Sequence, residues 1–255
     1  MRDLFRYRDL IWDLVARDLK VRYRRSFLGF IWSMLQPLMT MGVLMVVFST
    51  IFRFDVRNYP VFALAGLLFW NFFQQSIVTS MNSLKSVAYI LQKLPVPMAV
   101  FPIATILSGI VHLLFAMVPM LLVLIITKHP IGPSLFFLPV SILIAAVFTL
   151  GAGLLLAPLA VLFSDVIELV GVALTMIFYL TPIIYPISIV EPHSFYPIVH
   201  FNPARSILEI FRDPIYFSKV PPLQHLGLSV VLALGLLAIG TWVFRRFSDR
   251  IPFYL

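Results

Sequence analysis

The residues that could perform chemistry are few and far apart in this sequence. His112 lies near the middle of a long apolar stretch, where an ionisable side chain is a candidate functional group. A neutral histidine that hydrogen-bonds to a neighbouring helix explains His112 more simply. Asp165 and Glu168 could form an acid–base pair. Their spacing is also typical of carboxylates that complement a helix N-terminus, and we favour that interpretation.

Motifs for nucleotide hydrolysis, thiol chemistry and metal binding are absent from the sequence. None of the 11 glycines is followed by lysine, so there is no phosphate-binding loop. There is no cysteine, and the five histidines are scattered. We therefore predict no catalytic residue, no metal site and no bound cofactor in this chain. If ATP drives the protein, a separate subunit must hydrolyse it.

A stripe of polar side chains runs along one predicted helix. Its members recur at spacings of four, four and three residues, which places them on one face: Asn71, Gln75, Thr79 and Asn82. Polar side chains avoid lipid, so the stripe is expected to face other helices or a channel. Phe69, Trp70, Phe72 and Phe73 crowd beside it, and a sugar polymer needs both hydrogen-bond partners and flat apolar faces. Ordinary helix packing is an equal alternative.

The composition indicates an integral membrane protein. Of the 255 residues, 61% are hydrophobic and 12% are charged, and the mean hydropathy is +1.00. Soluble domains contain about 25% charged residues, and a soluble protein of this size could not bury so much apolar surface. The net charge of +8 does not indicate nucleic-acid binding, because the basic residues flank apolar stretches, where anionic lipid head groups explain them.

The hydropathy pattern predicts an all-α membrane protein with six transmembrane helices. A span needs about 20 apolar residues, and six segments qualify: 31–52, 61–81, 98–126, 134–163, 169–185 and 223–244. Before them, apolar residues recur at spacings of three and four over residues 4–23. This pattern predicts an amphipathic helix, which is expected to lie at the membrane interface. We therefore divide the chain into a cytoplasmic interfacial segment, 1–30, and a permease domain, 31–255.

The distribution of basic residues predicts the orientation. Five of the nine residues from Arg17 to Arg25 are basic, and nothing from Ser26 to Phe52 is ionisable. Positive charge beside a first span stays on the cytoplasmic side. With that orientation, 13 of the 19 Lys and Arg residues fall in cytoplasmic segments, so both termini are predicted to be cytoplasmic.

Two segments between the spans have patterns of their own. Residues 82–97 could form three helical turns, with Leu84, Val87, Ala88 and Leu91 on one face, before Pro95 and Pro97 end the helix. Residues 186–222 are too apolar for an ordinary external loop. Within them, Asn202 as N-cap and Pro203 in the first turn predict a helix start.

Several of these segments resemble the membrane permeases of type-2 ABC exporters of bacterial polysaccharides, which move O-antigen, capsule or teichoic-acid chains. The resemblance lies in Arg-Asp-Leu-Lys-Val-Arg-Tyr (17–23), Ser-Phe-Leu-Gly-Phe-Ile-Trp (26–32) and Gln-Pro-Leu (36–38). It continues in Thr-Pro-Ile-Ile-Tyr-Pro (181–186), Asn-Pro (202–203) and Ile-Phe-Arg (210–212). It covers nearly the whole chain, although Val96-Pro97-Met98-Ala99 lacks the charged residues that the family often carries there.

The resemblance implies roles for particular residues. The loop 82–97 would couple to the ATPase through Leu84, Val87, Tyr89, Leu91 and Lys93. Arg22, Arg24 and Arg25 would contact the pyrophosphate and lipid of the substrate. Trp32, Trp70, Asn71, Gln75, Phe178 and Tyr179 would line the channel. The segment 186–222 would form short re-entrant helices at an external gate, with Tyr185, Asn202, Pro203, Arg205, Phe211 and Arg212.

The resemblance also implies the partners. Two copies of the chain would pair with two ATPase subunits, which carry ATP and magnesium, in the bacterial cytoplasmic (inner) membrane, surrounded by membrane lipids. The substrate would be a lipid-linked polysaccharide, with O-antigen as the first choice, and no nucleic acid is expected. A permease for a drug or a small lipid is the alternative within the same architecture. An intramembrane glycosyltransferase is the alternative from another class, but it would need clustered acids or a metal site.

Overall fold

The computed structural model describes residues 4–23, 31–50, 58–91 and 96–254. Within these ranges the chain forms ten α-helices and no strand. The helices are α1 (Arg8–Tyr23), α2 (Ile31–Thr50), α3 (Tyr59–Ser83), α4 (Ala88–Leu91), α5 (Val100–Ile126), α6 (Leu138–Leu162), α7 (Val166–Leu180), α8 (Tyr196–His200), α9 (Pro203–Arg212) and α10 (Leu223–Ser248). A π-helical turn, Asp213–Phe217, follows α9 directly.

Four segments are long and apolar enough to cross a membrane: Tyr59–Ser83, Val100–Ile126, Pro133–Leu162 and Leu223–Ser248. They correspond to the predicted second, third, fourth and sixth spans, and they confirm the all-α membrane class. The predicted first and fifth spans contain shorter apolar helices, Met34–Val47 and Val166–Leu180. Fifteen residues rise about 22 Å, less than the ~30 Å of hydrocarbon, so the count of six spans stays a prediction.

Helix α3 is the centre of the bundle. It is buried along most of its length and packs against α5 and α6. Small residues allow this close approach: a Cβ on Gly153 of α6 would lie 2.7 Å from the hydroxyl of Ser80, and a Cβ on Gly109 of α5 would collide with the hydroxyl of Ser76. Membrane helices associate through such contacts because lipid removes the hydrophobic driving force between them.

Helices α6 and α10 run in parallel with their backbones in contact. A Cβ on Gly151 would lie 2.6 Å from backbone atoms of Leu236 and Leu237, and a Cβ on Gly240 would collide with the Gly151 carbonyl. A side chain at either glycine would therefore push the two helices apart.

The two ends of the bundle differ. At one end, the apolar face of α1 packs with Leu84, Val87, Val100 and Phe244 in a second apolar cluster. At the other end, the start of α3 meets the α5–α6 turn and the segment after α9. Here three non-glycine residues adopt left-handed backbone angles: Asn58 (φ 54°), Lys128 (φ 50°) and Ser218 (φ 51°).

Two predicted helix starts are found. Asn202 caps α9 by accepting a hydrogen bond from the Ala204 N–H at 3.0 Å, with Pro203 in the first turn, as the Asn-Pro pair predicts. Asp165 and Glu168 lie at the N-cap and in the first turn of α7, although Asp165 makes no side-chain capping bond. Carboxylates in these positions still complement the helix dipole.

Candidate functional site

A polar groove lies between α1, α2, α3 and α5. We define it by the polar side chains that line it: Gln36, Asn71, Gln75, Thr79, Asn82, Ser108 and His112. It encloses a cavity of about 610 Å³. The helix period places all four members of the polar stripe on one face of α3. The other faces of α3 are buried, and this face borders the groove. The stripe thus lies where a chain of hydroxyl-bearing groups could pass.

The stripe side chains leave hydrogen-bonding capacity toward the groove. Thr79 donates its hydroxyl to the Gln75 carbonyl at 2.8 Å, and Asn82 donates an amide N–H to the Val78 carbonyl at 2.9 Å. Both bonds stay within α3. The amide oxygen of Asn82 and the lone pairs of the Thr79 hydroxyl can therefore still accept hydrogen bonds from another molecule.

Helix α5 supplies the opposite wall. Ser108 and His112, one turn apart, both line the groove. Ser108 is buried, and its hydroxyl has no hydrogen-bond partner among the described residues. A buried hydroxyl without a partner is costly, and this one lies within the wall of the groove, not open to it. His112, suggested by its position in the span, therefore belongs to this polar surface.

The basic boundary is only partly described. Arg17 and Asp18 of α1 reach the groove and pair with each other at 3.2 Å, at an exposed site. Arg22 lies in the last turn of α1, whereas Arg24 and Arg25 lie outside the described residues. Their predicted contact with a pyrophosphate stays a prediction.

The residues predicted to line a channel fall into two sets. Asn71 and Gln75 line the groove. Trp70 instead is buried, where it stacks edge-on to Phe178 at 5.6 Å and donates its indole N–H to Gln74 at 2.8 Å. Trp70 therefore lies on the side of α3 that packs against α6 and α7, and its predicted place in a channel stays a prediction. Trp32 and Tyr179 are exposed on α2 and α7.

The predicted coupling residues also separate by face. Leu84 and Val87 are buried against α1 and α5, so they hold the segment to the bundle. Tyr89 is 69% exposed. Leu91 ends α4, and Lys93 lies outside the described residues. The apolar face of this amphipathic segment has its partner within the chain, which the periodicity alone could not tell.

The predicted gate residues are mostly fixed in place. Tyr185 donates its hydroxyl to the Tyr179 carbonyl at 2.7 Å, and Asn202 donates an amide N–H to the Thr181 hydroxyl oxygen at 2.8 Å. Arg205 pairs with Glu209 at 2.6 Å. Phe211 and Arg212 are buried. The role of these six residues in an external gate stays a prediction, and Phe211 and Arg212 would serve it from buried positions.

Arg212 keeps its charge despite its burial. Loss of hydration lowers the pKa of the guanidinium to about 9, and the neighbouring carboxylates of Glu209 and Asp213 act in the opposite direction. At neutral pH the group is still a cation. Burial, and then repulsion from Glu209, raises the pKa of Asp213 from 3.8 to about 6. No sequence pattern indicated a buried arginine here.

Known sequences resemble this chain over nearly its whole length. The O-antigen export system permease protein RfbA of Myxococcus xanthus is 31% identical over 248 residues, covering 96% of this chain and 95% of that protein. The RfbA of Klebsiella pneumoniae is 27% identical, covering 95% and 93%. The polysialic acid transport protein KpsM of Escherichia coli is 20% identical, covering 87% and 88%.

A family profile agrees with these relatives. The profile of the ABC-2 type transporters matches residues 9–216, which include the groove and α9. With its long apolar helices, the chain is a multi-pass protein of the inner membrane. The chain therefore belongs to the ABC-2 type transporter family, and the relatives that it matches are permeases for exported polysaccharides.

Proposed function

We propose that this chain is the permease subunit of an ABC exporter that moves a lipid-linked polysaccharide, most simply an O-antigen, across the cytoplasmic membrane. The polar groove is the observation that carries the proposal. It sets a row of amide and hydroxyl groups beside aromatic Phe72, and pyranose rings need hydrogen-bond partners on their edges and apolar contacts on their faces.

In this proposal the chain has six spans and cytoplasmic termini, and two copies form the channel. Helices α2 and α7 would be the first and fifth spans. Helix α2 has 20 residues, enough for a span, whereas α7 has 15, and a short helix favours oligomers or local thinning of the bilayer. The segment between α7 and α10 would carry the re-entrant helices of an external gate.

ATP and magnesium would act on a separate ATPase subunit. The apolar cluster that joins α1, Leu84 and Val87 supports a coupling site at this end of the bundle. A displacement of the segment 82–97 would be transmitted to α1, α5 and α10 through direct packing. The contact itself would involve the exposed face, with Lys85 and Tyr89. A Tyr89→Ala variant should then lower stimulation of the ATPase while the chain stays folded.

The test is the ATPase rate of the purified chain, alone and with the ATPase encoded beside it. We expect no turnover from the chain alone, turnover with the partner, and stimulation by the lipid-linked glycan. Stimulation by small lipids but not by the glycan would instead favour the permease for a small lipid. Failure to bind any ATPase would remove the exporter mechanism.

A further inference from the structure

The guanidinium of Arg212 joins three separate parts of the chain. Its Nη1 donates to the Pro182 carbonyl at 2.8 Å, and its Nη2 donates to the Ile183 carbonyl at 2.7 Å. Its Cζ lies 3.9 Å from the centre of the Phe62 ring. Arg212 is 4% exposed, so these contacts are buried, and its Nε has no partner among the described residues. We call Phe62, Gly66, Pro182, Ile183 and Arg212 the arginine junction.

The junction satisfies backbone groups that the end of α7 leaves open. The last carbonyls of a helix have no partner within the helix, and Pro182 has no N–H with which to continue it. A three-residue turn follows, in which the Ile183 N–H donates to the Thr181 carbonyl. Arg212 takes up the Pro182 and Ile183 carbonyls, and the Tyr59 hydroxyl donates to the Ile184 carbonyl at 2.9 Å. Irregular backbone among membrane helices persists only where protein or water satisfies it in this way.

Gly66 of α3 provides the space for the junction. A Cβ there would lie 2.7 Å from the Ile183 carbonyl oxygen and would collide with Nη2 of Arg212. The fork of a guanidinium can reach two carbonyls at once, whereas the ammonium of lysine is a single point of donation. The residue types at Gly66 and Arg212 therefore fit each other and fit few substitutes.

Helix α9, which carries Arg212, is itself fastened to the bundle by its backbone. Side chains of other elements donate to carbonyls in and after α9: Ser141 to Ile210 at 2.6 Å, Ser229 to Ser206 at 3.1 Å, Ser134 to Pro214 at 3.1 Å and His129 to Tyr216 at 2.7 Å. Buried bonds of this kind hold their partners in one arrangement. Residues 186–201, in contrast, have few buried side chains.

We propose that Arg212 is a positioning residue for transport: it fastens the interrupted end of α7 to α3 and α9, so that these three elements move as one body. Any opening on this side of the protein then takes place in residues 186–201, between Ile183 and α9, rather than by the release of α9. The role in transport rests on the proposed function, whereas the fastening does not.

The absence of native cysteine allows a direct test. Ile183→Cys, with 0% exposure, reports on the junction, and Ala160→Cys, also 0% exposed, reports on a distant part of α6. Each reporter is labelled with a hydrophilic maleimide in membrane vesicles that contain the assembled transporter. In an Arg212→Gln background, the two hydrogen bonds from the charged guanidinium are lost, so the segment opens locally more often. We therefore expect labelling at position 183 to be at least about tenfold faster. Labelling at position 160 should not change.

Matched variants sharpen the result. Arg212→Lys should give an intermediate rate at position 183, and the exposed Lys219→Gln on the same segment should give the original rate. Unchanged labelling at position 183 in Arg212→Gln would overturn the proposal. Equal acceleration at positions 160 and 183 would also overturn it, because Arg212 would then support only general stability. If Arg212→Gln is not produced, Phe62→Leu removes the ring contact alone and should accelerate labelling at position 183 to a smaller degree.

A second readout separates this proposal from the proposed function. In the exporter, Arg212→Gln should keep ATP hydrolysis while glycan export falls. The ATPase would continue to turn over, but α3, the end of α7 and α9 would no longer move together. Export at the original rate would exclude a role of Arg212 in transport, even if the labelling result is as expected. If the chain proves not to bind an ATPase, the labelling result still decides whether Arg212 fastens α7.

Discussion

The polar groove and the arginine junction use polar side chains in opposite ways. At the junction and around α9, the side chains of Arg212, Ser141 and His129 donate to backbone carbonyls of other elements. In the groove, Thr79 and Asn82 bond within their own helix, and Ser108 has no partner among the described residues. Both regions lie within an apolar bundle, so hydropathy alone would describe them as the same.

The difference shows what a polar residue in a membrane helix indicates. A side chain whose donors are taken up by distant backbone holds the fold together. A side chain beside a cavity that can still form hydrogen bonds is available to a ligand. Variants of the first kind should change stability, and variants of the second kind should change transport.

The largest effect is expected from His129→Ala at the fastened end. His129 is buried and bonds to the Asn58 amide at 2.9 Å and to the Tyr216 carbonyl. Its removal breaks these two part-buried hydrogen bonds, at about 3 kcal/mol in total. Thermal unfolding of the purified chain should show the loss, and the exposed His193→Ala serves as control. Equal midpoints for the two variants would contradict the comparison.

The next effect is expected from the double variant Asn71→Leu with Gln75→Leu in the groove. Loss of two hydrogen bonds to a sugar, each near 1 kcal/mol, should lower export about 30-fold. The unfolding midpoint should stay the same, because neither side chain bonds to another element among the described residues. Thr175→Val on the exposed side of α7 is the matched polar-to-apolar control. A drop in stability without a drop in export would show that the groove side chains support the fold and do not contact the substrate.

A pair of serine variants tests the comparison with the same chemical change. Ser141→Ala removes a buried bond to the Ile210 carbonyl and should lower the free energy of unfolding by about 1 kcal/mol. Ser108→Ala removes a buried hydroxyl that has no partner among the described residues and should leave that free energy unchanged or raised. Chemical denaturation of both variants measures the difference, and equal losses would speak against it.

A further effect, on the pH dependence of stability, concerns Asp213. The pKa of Asp213 is raised by burial in the folded chain, from 3.8 to about 6. The folded state therefore binds the proton more tightly, and this contribution to stability is lost as the pH rises from about 4 through about 6. Asp213→Asn should raise the unfolding midpoint at pH 7.5 but hardly at pH 4. A gain of equal size at both values would exclude this explanation.

The sequence predicted features whose cause is local. The period of a helix put the four polar residues from Asn71 to Asn82 on one face, and the Asn-Pro pair located the start of α9. It could not supply features whose cause lies far along the chain. The periodicity of Leu84 and Val87 does not tell that α1 and α5 pack on them, and their role in coupling to an ATPase stays a prediction. The fit between Gly66 and Arg212 depends on the fold, and no local pattern contains it.

The left-handed residues at the fastened end offer a practical route to a sturdier preparation. A side chain at φ near +50° crowds the following carbonyl, at about 1 kcal/mol per residue. Lys128 adopts this conformation in the α5–α6 turn, and its side chain is largely exposed, whereas the side chains of Asn58 and Ser218 form hydrogen bonds to the α5–α6 turn, at His129 and Pro130. Lys128→Gly should therefore relieve crowding without breaking a bond. Purified for microscopy, this variant should survive detergent and heat longer than the natural chain.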